Sequence, residues 1–370
     1  MSRKPRLSFR MRLGAVLLFC LLLDPVAAQA SDDLLPADYA DINKALITGH
    51  AIPRYVALAE KAGSFAGAVQ GYCAADGGSA DALEPARAAY QDLTDAWAGV
   101  AHIHFGPVEL LMRGPRFYFW PQGRGKVAAA IANLEASAEP RPLTPERFRF
   151  ASVAVQGLPA AAFLLYPNGT EQTPADHCAL LSAIADNLAG IATALLSDWR
   201  DGANAFATVA MTPGPENIYF ESHAEVTLNF LNALHTGLQS LADIELKPVL
   251  HDPQIAFLPP EGRELRTMQR VIDALSDLYL GAEGSRGLGA LVERGGIDPA
   301  LDPLMRKAFR MTSESADAIA MPLPQAVRDA ATREKLEKLH TQITALRQIV
   351  GRRLTRALDL QIGFNALDGD

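Results

Sequence analysis

Apolar residues recur every three or four positions along almost the whole chain, and this spacing is the period of an α-helix. The stripe is clearest in residues 174–203, where it consists of Leu180, Ile184, Leu188, Ile191 and Leu195. After residue 31 we find no convincing run in which polar and apolar residues alternate, which is the pattern of a half-buried strand. The sequence therefore predicts an all-α protein.

Prolines and glycines separate the predicted helices into two groups. The first group covers residues 38–74, 83–105, 127–138, 146–165 and 174–203. The segment Thr212-Pro-Gly-Pro215 follows it, and two prolines with a glycine cannot continue a helix. The second group covers residues 221–244, 262–281, 285–294, 300–319 and 324–362. We therefore predict two helical-bundle domains, over residues 31–211 and 216–370.

The first thirty residues have the pattern of a secretory signal peptide. Five basic residues precede an apolar stretch, Leu13–Leu23, that is too short to span a bilayer. Ala28-Gln29-Ala30 then gives the small residues that a signal peptidase needs before Ser31. Lipidation at Cys20 is a weaker alternative, because the bulky Phe19 precedes it. We expect cleavage after Ala30, a periplasmic location and no membrane span in the mature chain.

The charge of the mature chain excludes one class of partner. Removal of residues 1–30 takes five basic and one acidic side chain from the 34 and 42 of the whole sequence, which leaves 29 and 41. The net charge is then −12 with neutral histidines. Nucleic acids and anionic membranes are bound by basic surfaces, so we expect no nucleic-acid partner.

Two cysteines, Cys73 and Cys178, remain after signal cleavage. An exported chain folds in an oxidising compartment, where two cysteines favour a disulfide. The alternative is a pair of buried free thiols. We expect the disulfide.

The segment Trp97–Lys126 carries most of the chemically capable side chains. His102 and His104 fall in the last turn of a predicted helix, and Glu109 follows the Gly106-Pro107 break. Imidazole and carboxylate groups are metal ligands, so these three residues are candidates for a metal site. However, a spacing of two residues points the histidines to different sides of a helix. The alternative is that they cap the helix end.

The second half of this segment combines basic and aromatic residues. Guanidinium groups beside aromatic rings suit a carboxylate, a phosphate or a planar ligand. Alternatively, the rings pack in the core while the charges pair with acidic neighbours. The candidate ligand-binding residues are Arg113, Arg116, Trp120 and Arg124.

Other titratable residues give weaker signals. Glu221 and Glu225 lie one turn apart at the start of a predicted helix, where the dipole alone favours carboxylates. His50 is isolated in the sequence and carries no functional signal. The sequence has no HExxH, G-x-S-x-G, Walker or G-x-G-x-x-G motif, so residue patterns alone name no reaction.

Four separated motifs resemble the imelysin family. They are His102-x-x-x-Gly106-Pro107-x-Glu109, Phe119-Trp120-Pro121 with Arg124, Ala151–Pro159 and Gly363–Asp370. The resemblance implies two helical bundles related by internal duplication, export, and an association with iron uptake or with metallopeptidase activity. It also implies a G-x-H-x-x-E metal motif. The equivalent stretch here is Gly157–Ala162, with Pro159 and Ala162 in the ligand positions. Neither side chain can bind a metal.

Three functional hypotheses follow. The first is a periplasmic binding protein without catalysis, which takes part in the uptake of iron or another divalent metal or binds a small anionic ligand. The second is a metallopeptidase of the imelysin type. The third is a scaffold that docks a periplasmic redox or transport protein through the aromatic and basic segment.

Overall fold

The computed structural model describes residues 34–74, 80–119, 125–136, 143–167, 177–252 and 262–363. Every regular element in these residues is helical. The α-helices are α1 (Pro36–Leu46), α2 (Ile52–Ala74), α3 (Ala80–Ala98), α4 (Arg113–Phe117), α5 (Lys126–Glu135), α6 (Pro145–Phe148), α7 (Leu158–Leu165), α8 (Cys178–Arg200), α9 (Phe206–Met211), α10 (His223–Gln239), α11 (Lys247–His251), α12 (Glu264–Leu280), α13 (Gly289–Gly295), α14 (Leu301–Asp317), α15 (Leu323–Ala326), α16 (Ala330–Ile349) and α17 (Thr355–Ala357). The prediction of an all-α fold is confirmed.

Within the described residues, three wide π-helical turns lie inside longer helices. Ile47–Ala51 joins α1 to α2, Ser240–Leu246 joins α10 to α11, and Val350–Leu354 joins α16 to α17. A π-turn holds one more residue than an α-turn. The interruption expected at Pro53 therefore lies just before it, and Pro53 itself is tolerated in the first turn of α2.

The centre of the N-terminal half is formed by α2, α3 and α8. Helix α2 packs along α8 on one side and against α3 on the other. The predicted stripe of α8 is buried throughout, from Leu180 to Leu195. Helix α8 is also long and apolar enough to cross a membrane. Its apolar stripe, however, lies in the protein core against α2.

A disulfide joins the C-terminal end of α2 to the N-terminal end of α8. It links Cys73 to Cys178, whose Cα atoms are 5.7 Å apart. The predicted pairing is therefore confirmed. Helices α2 and α8 pack extensively against each other, and the bond fixes them together at one end.

The C-terminal half is a bundle of α10, α12, α14 and α16. Helix α14 packs between α12 and α16, and α10 contacts both of these helices. Leu231 and Leu238 of the predicted α10 stripe are fully buried.

The two halves are connected through buried polar groups as well as apolar ones. Helix α1 packs on α10, and α3 packs on α12. At the first contact, Asn43 donates from Nδ2 to the His223 carbonyl over 2.7 Å and accepts a 2.7 Å bond from the Thr227 hydroxyl. Residues beyond position 31 cluster into one compact unit. The division at residues 211–216 and the internal duplication stay predictions.

Two predicted helices are more broken than expected. Residues 146–165 are not one helix, because α6 ends at Phe148 and a short 3-10 turn precedes α7. The break occurs where Gly157 lies against α4: a β-carbon at this position would be 2.5 Å from the Phe117 carbonyl oxygen. The predicted helix over 324–362 is likewise divided into α15, α16 and α17.

Candidate functional site

The loop between α3 and α4 is held in an irregular path by local contacts. Helix α3 ends at Ala98, seven residues before the predicted end. Gly106 has φ +74°, and a β-carbon there would approach the Phe206 ring to 2.9 Å. Glycine meets both requirements, because it tolerates a left-handed backbone and leaves room for the ring. Phe206 therefore fixes this loop against α9.

A cavity of about 720 Å³ opens beside this loop. Its walls come from five places in the chain: the loop from His104 to Leu110, the end of α8 with the residues after it, the 219–220 pair, α10, and Gly363. These places lie in both halves of the sequence. The cavity is within the usual size range of sites that bind small molecules.

Asn217 holds one wall of the cavity in place. Its side-chain nitrogen donates to the carbonyls of Val209 at 2.7 Å and Thr212 at 3.1 Å. Its side-chain oxygen accepts from the backbone amides of Tyr219 and Phe220, at 2.9 and 3.1 Å. Asn217 thus ties the predicted boundary segment to Tyr219 and Phe220, which line the cavity.

His104 and Glu109 both line this cavity. His104 Nδ1 lies 2.8 Å from the carbonyl oxygen of His102. A carbonyl can only accept, so Nδ1 carries the proton and Nε2 keeps its lone pair. Glu109 Oε2 accepts the Gly106 amide at 3.1 Å. Two potential ligand atoms, the His104 Nε2 and the second Glu109 oxygen, are therefore uncommitted among the described contacts.

His102 lies in the core behind the cavity. Its Nε2 is 2.7 Å from Nε2 of His50, so one ring donates to the other. Neither Nδ1 has a hydrogen-bond partner among the described residues. Burial lowers the pKa of both imidazoles well below the usual value, and Arg54 lowers both further. The structure thus pairs His102 with His50 and does not bring it together with His104 and Glu109.

The described residues contain no ready-made metal centre. No group of three His, Cys, Asp or Glu side chains within them is close enough to hold an ion. A bare divalent ion would find two predicted ligands, His104 and Glu109, at the cavity wall. Further ligands would have to come from water or from the incoming molecule itself.

The predicted ligand-binding arginines have protein partners. Arg113 donates to Asp198 Oδ2 at 2.6 Å and to the Pro107 carbonyl at 3.1 Å. Arg116 donates to Gln156 Oε1 at 2.7 Å and to Asn187 Oδ1 at 2.9 Å. Neither arginine is among the described lining residues of the cavity. Trp120 and Arg124 lie outside the described residues.

The Gly157–Ala162 stretch is structural. Its apolar helix, α7, is buried at Leu158, Pro159 and Ala162. Glu221 and Glu225 also have a structural role. Glu225 accepts a 2.8 Å hydrogen bond from the Glu221 amide and lies in the first turn of α10.

Sequence reasoning missed three residues at or behind the cavity. Asp198 and Asp201 line it, and His50 supports His102. The two aspartates did carry a signal. They lie at the C-terminal end of α8, where the helix dipole disfavours negative charge, and the structure compensates them with Arg113 and Arg200. His50 carried none, because its partner is 52 residues away.

The family model described as imelysin (peptidase M75) matches residues 51–350. The chain belongs to the imelysin family. No curated protein matches the chain.

Two solved structures show the same fold. One is an imelysin-like protein from Psychrobacter arcticum 273-4, which is 19% identical, has a TM-score of 0.72, and is matched over 90% of this chain and 100% of that one. The other is described as a putative iron-regulated protein A precursor from Parabacteroides distasonis ATCC 8503. It is 16% identical, has a TM-score of 0.70, and is matched over 87% of this chain and 96% of that one. At these identities the likeness establishes the imelysin fold.

Proposed function

We propose that this imelysin-family protein is an exported, non-catalytic binding protein that takes part in the uptake of iron or another divalent metal. The cargo occupies the cavity and is contacted by His104 and Glu109. The proposal rests on the position and the hydrogen bonds of these two side chains. They line one cavity, and each keeps an uncommitted ligand atom among the described contacts.

Two further observations support a metal cargo. The carbonyl of His102 fixes the proton of His104 on Nδ1, which is the usual way in which a protein orients a metal-binding imidazole. One structural neighbour of the same fold is described as iron-regulated. Because His104 and Glu109 are the two predicted ligands that line the cavity among the described residues, we assign the site to the transient binding of a cargo.

Calorimetry on metal-stripped protein tests the proposal. Ferrous, ferric, zinc and copper ions are titrated separately, first alone and then with a chelating ligand. We expect binding of at least one metal form, weakened about tenfold or more by His104→Ala and by Glu109→Gln, because each change removes a first contact to the metal.

His251→Ala and Glu283→Gln are matched controls, since both residues are exposed and neither lines the cavity. Absence of binding for every metal form would refute the proposal. So would binding that the two cavity variants leave unchanged. His102→Ala is unsuitable as a test, because His102 is buried and its loss would report on stability.

A further inference from the structure

The cavity is wider than a single ion requires. Its volume of about 720 Å³ lies in the range of sites for organic ligands. A shallower cavity of about 570 Å³ adjoins it and shares Asn204, Val209 and Tyr219 with it. The binding surface therefore continues from the interior of the first cavity along α9.

The charge of this surface selects for cations. Among the described residues, Glu109, Asp198 and Asp201 line the first cavity and Glu216 lines the second, whereas no lysine or arginine lines either. Asp198 and Asp201 are paired with Arg113 and Arg200, so the carboxylates without an ion pair among the described contacts are Glu109 and Glu216. Carboxylates that line a concave surface concentrate a negative potential there and attract positively charged ligands.

Aromatic rings form one wall of the first cavity. The ring centroid of Phe206 is 6.5 Å from that of Tyr219 and 5.9 Å from that of Phe220, and all three residues line the cavity. The face of an aromatic ring attracts organic cations, and its surface also accepts apolar groups. The wall therefore suits a cation that has an apolar or aromatic body.

Large apolar side chains that adjoin lining residues in the sequence, here called the rim, are exposed: Leu111 and Met112 follow Leu110, and Ile218 precedes Tyr219. Leu111 and Met112 have φ +56° and +55°, although neither is glycine. A left-handed backbone costs such residues about 1–2 kcal/mol each. Leu111 is nevertheless 75% exposed, and Ile218, which lines the second cavity, is 90% exposed. An apolar body that extends past Leu110 or Tyr219 would bury this apolar surface, which is favourable.

We propose that the cavity binds an organic cation with an apolar or aromatic body, and that a cationic metal chelate is the form in which it takes up metal. The part that concerns metal rests on the proposed function, whereas the part that concerns the organic cation does not. The carboxylates recognise the positive charge, the aromatic wall and the rim cover the body, and His104 remains available to the metal.

Calorimetry with four probes tests this ligand class. They are benzyltrimethylammonium, ferrous tris(phenanthroline), the anionic ferric complex of EDTA, and ferrous ion alone. We expect the two organic cations to bind, with an affinity that falls as salt is added, because exposed charges are screened. The anionic complex should not bind detectably, and ferrous ion alone should bind more weakly than its cationic chelate.

Two kinds of variant separate the charge from the apolar contact. Glu109→Gln and Asp201→Asn should each weaken the binding of both organic cations about tenfold, a factor typical of one lost charged contact, and Glu283→Gln should not. Leu111→Gly should weaken binding about threefold while the protein becomes no less stable, since glycine relieves the left-handed backbone. Substitution of a purely structural residue would not weaken binding while leaving the stability of the protein unchanged or higher.

The outcomes distinguish the two proposals. If ferrous ion alone binds and the organic cations do not, the ligand class is wrong and the proposed function stands. If benzyltrimethylammonium binds but no metal form does, the ligand class stands and the role in metal uptake is wrong. Equal binding of the anionic complex, or cation binding that is insensitive to Glu109→Gln and Asp201→Asn, would overturn the ligand class.

Discussion

At the residue scale, the buried pair of His50 and His102 makes stability depend on pH. Burial lowers the pKa of both imidazoles in the folded protein well below the usual value of about 6.5. Below about pH 6.5 the unfolded chain therefore binds protons that the folded protein excludes. The stability that the neutral pair contributes is fully present above this pH and is lost as the pH falls towards the folded pKa values.

We expect the free energy of unfolding in metal-free buffer to decrease between pH 6.5 and pH 5.5 by up to about 1 kcal/mol per histidine. Glu245 acts in the opposite direction, because burial raises its pKa to about 7 and the cost of its charge disappears on acidification. Urea unfolding of the Glu245→Gln variant therefore removes this opposing contribution, and His223, whose pKa is also lowered by burial, adds to the effect of the pair in the same direction. A stability that is constant over this pH range in that variant would contradict the expectation.

Gly157 leaves no space for a side chain. A β-carbon there would lie 2.5 Å from the Phe117 carbonyl oxygen and 2.8 Å from that of Arg116. Backbone atoms cannot move aside easily, so we expect Gly157→Ala to destabilise the protein by about 2–3 kcal/mol. Gly67→Ala is the matched control: nothing lies within 4 Å of its β-carbon position in α2, and alanine should stabilise that helix by about 0.5–1 kcal/mol. Equal effects of the two changes on urea unfolding would contradict this view of Gly157.

The sequence predicted His104 and Glu109 as site residues because their chemistry is visible in their residue types, and both line the cavity. It could not show that His102 turns inward, because that depends on His50 and on the approach of Gly237, whose β-carbon position lies 3.3 Å from the His102 β-carbon. Such contacts between distant parts of the chain leave no local pattern in the sequence.

At the scale of the helices, the disulfide should be a large contributor to stability. Cys73 and Cys178 are separated by 105 positions, and closing a loop of this length contributes about 4–5 kcal/mol in the chain-entropy model. We expect the Cys73→Ser/Cys178→Ser variant to lose an amount of this order in urea unfolding. Titration of free thiols in the denatured wild-type protein should detect none in the mature chain. Two reactive thiols there would contradict the pairing.

Most helices could be predicted from the sequence, because the apolar residues that become buried recur at regular helical spacing. The buried face of α8 could be predicted from the sequence of that helix alone, since every position on its stripe is apolar. The breaks were less predictable. The π-turn Ile47–Ala51 contains Thr48, Gly49 and His50, which have low helix propensity, but such residues also occur in regular helices, so their presence does not mark a π-turn.

At the scale of the whole molecule, the links between the two halves predict cooperative unfolding. The buried bonds of Asn43 to α10 and the 2.6 Å ion pair between Arg263 and Asp95 join α1 and α3 to the C-terminal helices. Separating the halves would expose these groups and the apolar surface around them. We expect a single unfolding transition at the same urea concentration by circular dichroism and by tryptophan fluorescence. Two separated transitions would contradict this and would favour independently folding domains.

Export gives a further prediction for the whole chain. The basic and apolar pattern of residues 1–30 should direct secretion and then be removed after Ala30. The intact mass of the protein isolated from the periplasm should therefore match a chain that begins at Ser31. A lipid-modified N-terminus at Cys20, or an unprocessed mass, would show that this processing site is wrong.

The extra residue in the turn between α1 and α2 has a consequence for how this chain tolerates deletions. A π-turn takes up one extra residue while the helices on both sides of it keep nearly the same rotation about their axis. Removing one residue, for example Thr48, would therefore let the two helices join as one regular helix, with Tyr55 and Leu58 still near the side on which Ile42 and Leu46 lie. In the regular part of α2 the same deletion would rotate everything beyond it by about 100°, the angle that each residue occupies in an α-helix. The wide turn is thus the place where this helix can lose a residue at the smallest cost.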